Sequence, residues 1–76
     1  MMVNEKMVTV RFFGKLADLH GAQLLLDAKG KTIQQLLMEL NVEGVYMLAV
    51  NGTLVPSNAT LEDGDELAIM PPVGGG

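Results

Sequence analysis

A short amphipathic segment, residues 32–40, carries the clearest helix pattern in the chain and limits the folds open to it. Its apolar residues recur at the spacing of a single helix face: Ile33, Leu36, Leu37 and Leu40. Thr32 and Gln35 stand at the spacing of a capping box, and Asn41 and Gly44 are expected to end the helix. One such helix has an apolar face that another layer must cover.

Segments with alternating apolar residues predict strands on both sides of this helix. The predicted strands are residues 7–13, 23–27, 46–51, 53–55 and 66–70. Residues 14–21 are expected to form a short helical turn between the first two strands. The Asn51-Gly52 pair predicts a tight hairpin turn, and Gly64 between two aspartates predicts the turn before the last strand.

This order of elements predicts an α+β domain in which one main helix lies across one face of a mixed sheet. We expect a single domain over residues 1–70, with residues 1–6 as a loose extension and residues 71–76 as a flexible functional tail. The sequence has 76 residues and no cysteine, so its stability must come from packing rather than disulfides. The predicted core is Val8, Val10, Phe12, Ile33, Leu36, Leu37, Leu40, Leu48, Val50, Leu67 and Ile69.

Charge and composition argue against several classes of function. The net charge is −4, and no basic cluster is present to neutralise phosphates, so nucleic-acid binding is not expected. No apolar run approaches the length of a membrane span, and the polar N-terminal residues do not resemble a signal peptide, which predicts a cytoplasmic protein without membrane contact. The single histidine, His20, is expected at the surface of a loop, and no metal site is predicted.

The sequence ends in an unusual tail, Pro71-Pro72-Val73-Gly74-Gly75-Gly76. Proline lacks an amide hydrogen, so the last strand cannot continue through the proline pair, and the tail must leave the sheet. The glycines add no side chains, so an arm of about 20 Å can carry the terminal carboxylate into a partner's narrow channel. Chemistry at that carboxylate is one interpretation, and a frayed terminus without function is the other.

The predicted strand phases leave a second set of apolar residues on the sheet face opposite the helix: Phe13, Met47, Ala49, Ala68 and Met70. Contiguous apolar surface on a small domain is typical of a docking site. Scattered surface hydrophobicity and self-association are the alternatives. Methionine side chains adapt to different shapes, which suits a face that serves more than one partner.

Three segments together resemble the ubiquitin-like sulfur carriers, and among them the small subunits of molybdopterin synthase. They are LAVNG at residues 48–52, LEDGDELAIMPPV at residues 61–73, and the final Gly75-Gly76 pair. The resemblance runs from Val8 to Gly76. It implies a β-grasp fold, with a sheet of four to five strands packed against one main helix.

The resemblance also implies a carrier rather than an enzyme. The Gly76 carboxylate, next to Gly75, would be adenylated by a ubiquitin-activating-type enzyme that uses ATP, and then converted to a thiocarboxylate. A sulfur donor protein and the large synthase subunit would be the other partners, and the chain itself would bind no cofactor. The residues expected to contact partners are Phe13, Met47, Ala49, Ala68, Met70, Pro71, Pro72, Val73 and Gly74.

Three alternatives remain open at this point. A carrier of the thiamine pathway would share the fold, although the segment at residues 14–21 and the proline pair favour the molybdopterin pathway. A ubiquitin-like modifier would join its terminal glycine to lysines of target proteins. A binding module with an inert tail would use only the apolar face.

Overall fold

The computed structural model describes residues 7–44 and 46–72. In chain order the elements are β1 Val8–Phe12, α1 Lys15–His20, β2 Gln23–Leu26, α2 Ile33–Glu39, β3 Met47–Val50, β4 Thr53–Leu54 and β5 Glu66–Met70. Each predicted strand and helix is therefore found, with ends that shift by at most one residue. The predicted extension at residues 1–6 and the tail residues Val73, Gly74, Gly75 and Gly76 lie outside the described residues.

The strands form one mixed sheet in the order β2-β1-β5-β3-β4. The first and last strands, β1 and β5, pair in parallel at the centre, and β2 and β3 flank them in antiparallel pairing. β4 completes the sheet through a short hairpin with β3. This arrangement confirms the predicted α+β class and the β-grasp fold, with the chain's two distant ends brought together in the middle of the sheet.

The core lies on the sheet face that α2 covers. Its buried residues are Val8, Val10, Phe12, Leu16, Ala28, Ile33, Leu36, Val42, Leu48, Leu61, Leu67 and Ile69. Three predicted members, Leu37, Leu40 and Val50, are only partly buried at its border. Four buried residues were absent from the prediction because they lie in loops or in α1, where no strand or long-helix periodicity marks them: Leu16, Ala28, Val42 and Leu61.

Both ends of α2 are capped as the sequence predicts. The Thr32 hydroxyl accepts from the Gln35 amide at 3.1 Å, and the Gln35 side chain accepts from the Thr32 amide at 2.9 Å. At the other end Asn41 takes a left-handed conformation with φ 59°, and the Val42 amide bonds the Leu37 carbonyl at 2.9 Å. That bond is the long-range bond of a Schellman cap, so Asn41 fills the position that glycine usually takes.

A hydrogen-bond network joins the two turns at one end of the sheet. Asn51 and Gly52 have φ values of 52° and 87°, as a tight hairpin turn requires. The Asn51 side-chain amide donates to Asp65 at 3.0 Å, and its oxygen accepts from the Glu66 amide at 3.0 Å. Asp65 also accepts from the Glu62 amide at 2.9 Å. The asparagine therefore joins the β3–β4 turn to the start of β5, which turn chemistry alone did not predict.

We expect Asn51→Gly to lower the free energy of unfolding by about 1–3 kcal/mol, because it removes both side-chain bonds but tolerates the left-handed backbone. Asn51→Ala should lose roughly 1 kcal/mol more, since alanine also strains at positive φ. Urea denaturation measures both. Asn58→Ala, at an exposed turn outside this network, is the control and should stay within about 0.5 kcal/mol of the parent. Equal stability of Asn51→Gly and the parent would contradict this role.

Candidate functional site

The sheet face opposite α2 is apolar, and we call it the outer face; its residues are Phe13, Met47, Ala49, Leu54, Ala68 and Met70. The register of the strands places these side chains together, because Met47 pairs with Met70 across β3 and β5. Ala49 pairs with Ala68 on one side and with Leu54 on the other. Five of the six line a shallow depression of about 380 Å³. The predicted set therefore shares one surface, and its role in binding stays a prediction.

The members of the outer face differ in exposure. Phe13 and Leu54 are 42% and 62% exposed, whereas Met47, Ala68 and Met70 are half-buried. Ala49 is only 8% exposed, so the expectation that it projects as open surface is wrong. Its side chain is short, and it lies on the inner strand β3, with β5 and β4 paired on its two sides. Leu54 was missed by the sequence analysis, although extending the strand phase through the Asn51-Gly52 turn places it beside Ala49.

One ion pair borders the outer face. The Arg11 guanidinium lies 2.9 Å from the Glu66 carboxylate, and both side chains are about half exposed. Both residues also line the depression beside Ala68. A pair this exposed contributes little to stability. It gives the apolar surface a polar rim, which is the usual anatomy of a protein interface.

The tail leaves the sheet beside the outer face. β5 ends at Met70, and the exposed residues Pro71 and Pro72 follow outside any strand. The Phe13 amide donates to the Ile69 carbonyl at 3.1 Å, so the end of β5 stays attached to the end of β1. A partner that binds the outer face therefore meets the start of the tail at the same place.

A second apolar depression, of about 530 Å³, lies beside α1 and is lined in part by Pro71, the tail's first residue; we call it the α1 groove. Its apolar lining comes from Phe13, Leu16, Leu19, Tyr46 and Pro71. Leu19 is 77% exposed. Phe13 lines both depressions, so the apolar surface continues from the outer face past the root of the tail.

Histidine and acidic side chains are the candidate metal ligands of this cysteine-free sequence. Within residues 7–44 and 46–72, no three acidic or histidine side chains come together to hold a metal ion. His20 lies in α1 rather than in a loop, and its ring stacks on Phe12 with centroids 5.1 Å apart. The predicted loop placement of His20 is therefore wrong, because His20 is the last residue of α1, where its half-buried ring packs against β1. Among these same residues, no helix has the length and apolar character needed to cross a membrane.

Comparison with known proteins gives this geometry a context. The sequence pattern of the ThiS family matches residues 10–76. The molybdopterin synthase sulfur carrier subunit of Escherichia coli (strain K12) is 33% identical over 81 residues, covering 92% of this chain and 100% of that protein. The solved complex of subunits 1 and 2 of molybdopterin-converting factor from Helicobacter pylori contains a chain that is 32% identical, with a TM-score of 0.65. That match covers 92% of this chain and 99% of the other.

A third match concerns the fold alone. The small archaeal modifier protein 1 of Haloferax volcanii is 24% identical, with a TM-score of 0.73, and the match covers 88% of this chain and 98% of that one. Proteins whose names indicate different functions, a sulfur carrier subunit and a modifier protein, thus share the ubiquitin-like β-grasp fold. The sequence match, which extends through the tail to Gly76, is more specific than the fold, and by that match the chain belongs to the ThiS family.

Proposed function

We propose that this chain is the sulfur carrier subunit of a molybdopterin synthase and that it carries sulfur as a thiocarboxylate on Gly76. The observation that carries the proposal is the family match over residues 10–76, combined with 33% identity to a sulfur carrier subunit of that enzyme over that subunit's whole length. The resemblance of the tail and of the two turns points the same way.

The chemistry needs activation because a carboxylate is a poor electrophile. In the proposed first step a carboxylate oxygen of Gly76 attacks the α-phosphorus of ATP, forming an acyl-adenylate and releasing pyrophosphate. The outer sulfur of a persulfide on the donor protein then attacks the carbonyl carbon, and AMP leaves, which forms an acyl disulfide. A thiol attacks the donor's sulfur in that S–S bond, forming a disulfide with the donor and releasing the thiocarboxylate. The chain has no cysteine, so the transferable sulfur has to reside on the terminal carbonyl. ATP would be bound by the adenylating enzyme, and this chain would act as the carrier.

The body of the domain would contribute recognition. The outer face offers apolar area with a polar rim, and β5 leads from it directly into Pro71 and Pro72. An adenylating enzyme and the large synthase subunit would bind this face in turn, each receiving the tail in its own active site. The Helicobacter pylori relative was solved in complex with a second subunit of its enzyme, which supports a large-subunit partner.

Intact mass spectrometry tests the proposal. The chain is incubated with ATP, its cognate adenylating enzyme, a persulfide sulfur donor and a thiol, and the product is fragmented to locate any change. We expect one oxygen to be exchanged for sulfur on the C-terminal peptide. Addition of the large synthase subunit and a pterin precursor should then return the carrier to its original mass, because the sulfur moves to the pterin.

Two other results would each overturn the proposal. Stable adducts to lysine side chains, without a sulfur-containing intermediate, would make the chain a ubiquitin-like modifier, the fate that the name of the Haloferax volcanii protein indicates for that protein. An unchanged mass with an adenylating enzyme of proven activity would leave a binding module with an inert tail.

A further inference from the structure

We propose that Gly14 is a positioning residue for the tail: its bare backbone seats the ring of Pro71 and thereby sets the direction in which the reactive terminus leaves the domain. This inference deepens the proposed function and rests on it. Gly14 lies directly before α1 and is remote in sequence from the tail. Local sequence patterns predict only a loop position for it.

The sheet brings the two residues to the same level. β1 and β5 run in parallel with Phe12 opposite Ile69. Continued by two residues, this register places Gly14 level with Pro71. The bond from the Phe13 amide to the Ile69 carbonyl holds the register up to the residue before Gly14. The parallel pair therefore ends with the β1–α1 turn lying against the first residue of the tail.

The contact leaves little room for a side chain at position 14. A Cβ atom built on Gly14 would lie 3.3 Å from Cγ and 3.6 Å from Cδ of Pro71. The first distance is closer than ordinary van der Waals contact, so a methyl group there would displace the proline ring by a few tenths of an ångström. Gly14 also has φ 67° and ψ −141°, a conformation that side chains disfavour.

The consequence for the tail follows from the rigidity of proline. The pyrrolidine ring fixes φ of Pro71, so the placement of its ring and the direction of the following peptide are coupled. Displacing the ring at Gly14 would therefore change the direction in which the chain continues from Pro71, whereas β3 and β5, which carry most of the outer face, end before that residue. Small misplacements of a reacting group lower the rate of a reaction strongly even when binding is unchanged.

The chain offers a matched control for this idea. Gly21, at the other end of α1, also has a positive φ, of 90°, but a Cβ added there meets no atom within 4 Å. Gly14→Ala and Gly21→Ala therefore share the backbone strain, and only the first displaces Pro71. We expect Gly14→Ala to lower kcat of adenylation about tenfold, with the KM for the carrier unchanged within about twofold. Gly21→Ala should retain the kcat of the parent within about twofold.

A double-mutant cycle isolates the contact from general effects on folding. Pro71→Ala removes the Cγ atom that a side chain at position 14 would meet. In the Pro71→Ala background, adding Gly14→Ala should therefore lower kcat no further than adding Gly21→Ala does. Thermal melting of every variant checks that the domain is folded, and the cycle is measured at a temperature where all of them are.

The outcomes separate this inference from the proposed function. If the parent protein is never adenylated, the proposed function fails before the variants are compared. If the parent is active and Gly14→Ala matches Gly21→Ala in kcat, Gly14 does not position the tail. A rise in KM without loss of kcat would also overturn the inference, because it would make Gly14 part of the docking surface. The inference would also be overturned if Gly14→Ala lowered kcat by the same factor in the Pro71→Ala background as in the parent.

Discussion

Met70→Lys is expected to weaken binding of the large synthase subunit by about 30- to 100-fold while the domain stays folded. Met70 lies on the outer face opposite Met47 and directly before the tail, so any partner that receives the tail covers it. An ammonium group buried in an apolar contact loses hydration without gaining a partner, and central interface residues are typically worth 2 kcal/mol or more, which is roughly 30-fold in affinity. Isothermal titration calorimetry with the purified large subunit measures the change.

Met38→Lys is the matched control for this substitution. Met38 lies on α2 and is 70% exposed, so the same change of residue type and charge occurs on the opposite side of the domain. Affinity should then stay within about twofold of the parent, since substitutions outside an interface are nearly neutral. Equal weakening by both variants would indicate a general charge effect. Unfolding of Met70→Lys would place Met70 in the core rather than on a docking surface.

Deletion of Gly76 is expected to abolish the gain of sulfur in the mass assay. The truncated chain still ends in a glycine carboxylate, but the tail is shorter by one residue, or about 3.5 Å. That displacement exceeds the tolerance of a nucleophile that must lie within bonding reach of the α-phosphorus of ATP. The loss should be at least on the order of 100-fold in rate, measured by release of pyrophosphate as well as by mass.

Binding provides the control for the deletion. The outer face is untouched, so the truncated chain should still bind the large subunit and should compete with the intact carrier for the adenylating enzyme. If the truncated chain competes for the adenylating enzyme but is not itself adenylated, then the folded domain is sufficient for recognition and Gly76 is needed for the reaction. Normal sulfur loading of the truncated chain would contradict Gly76 as the specific site of the thiocarboxylate.

The sequence predicted the helices, strands and turns well because the interactions that form each of them join residues close together in the chain. The capping box at Thr32 and Gln35 and the left-handed position at Asn41 involve groups a few residues apart. The proline pair ends β5 at Met70 because proline cannot donate to the strand ladder. The outer face could be predicted for the same reason, since side chains alternate along each strand.

Other features depend on contacts between distant residues, which the alternation of apolar and polar residues along a strand does not predict. Leu61 is fully buried although it lies in a loop, because its backbone is hydrogen-bonded to Gly30 and Lys31 in the segment before α2. Ala49 is buried on the face where an exposed residue was expected, because its short side chain lies on an inner strand with a paired strand on each side. The bonds of Asn51 to Asp65 and Glu66 also required the two turns to meet.

By itself, the sequence determined where strands, helices and turns begin and end and which residues alternate toward a core, since those preferences act within a few residues. Only the tertiary structure decided that β1 and β5 pair in parallel at the centre of the sheet and that Gly14 therefore lies against Pro71. The physical reason is that such a pairing depends on the packing of residues more than fifty positions apart, and no local preference records which distant strand will be the neighbour.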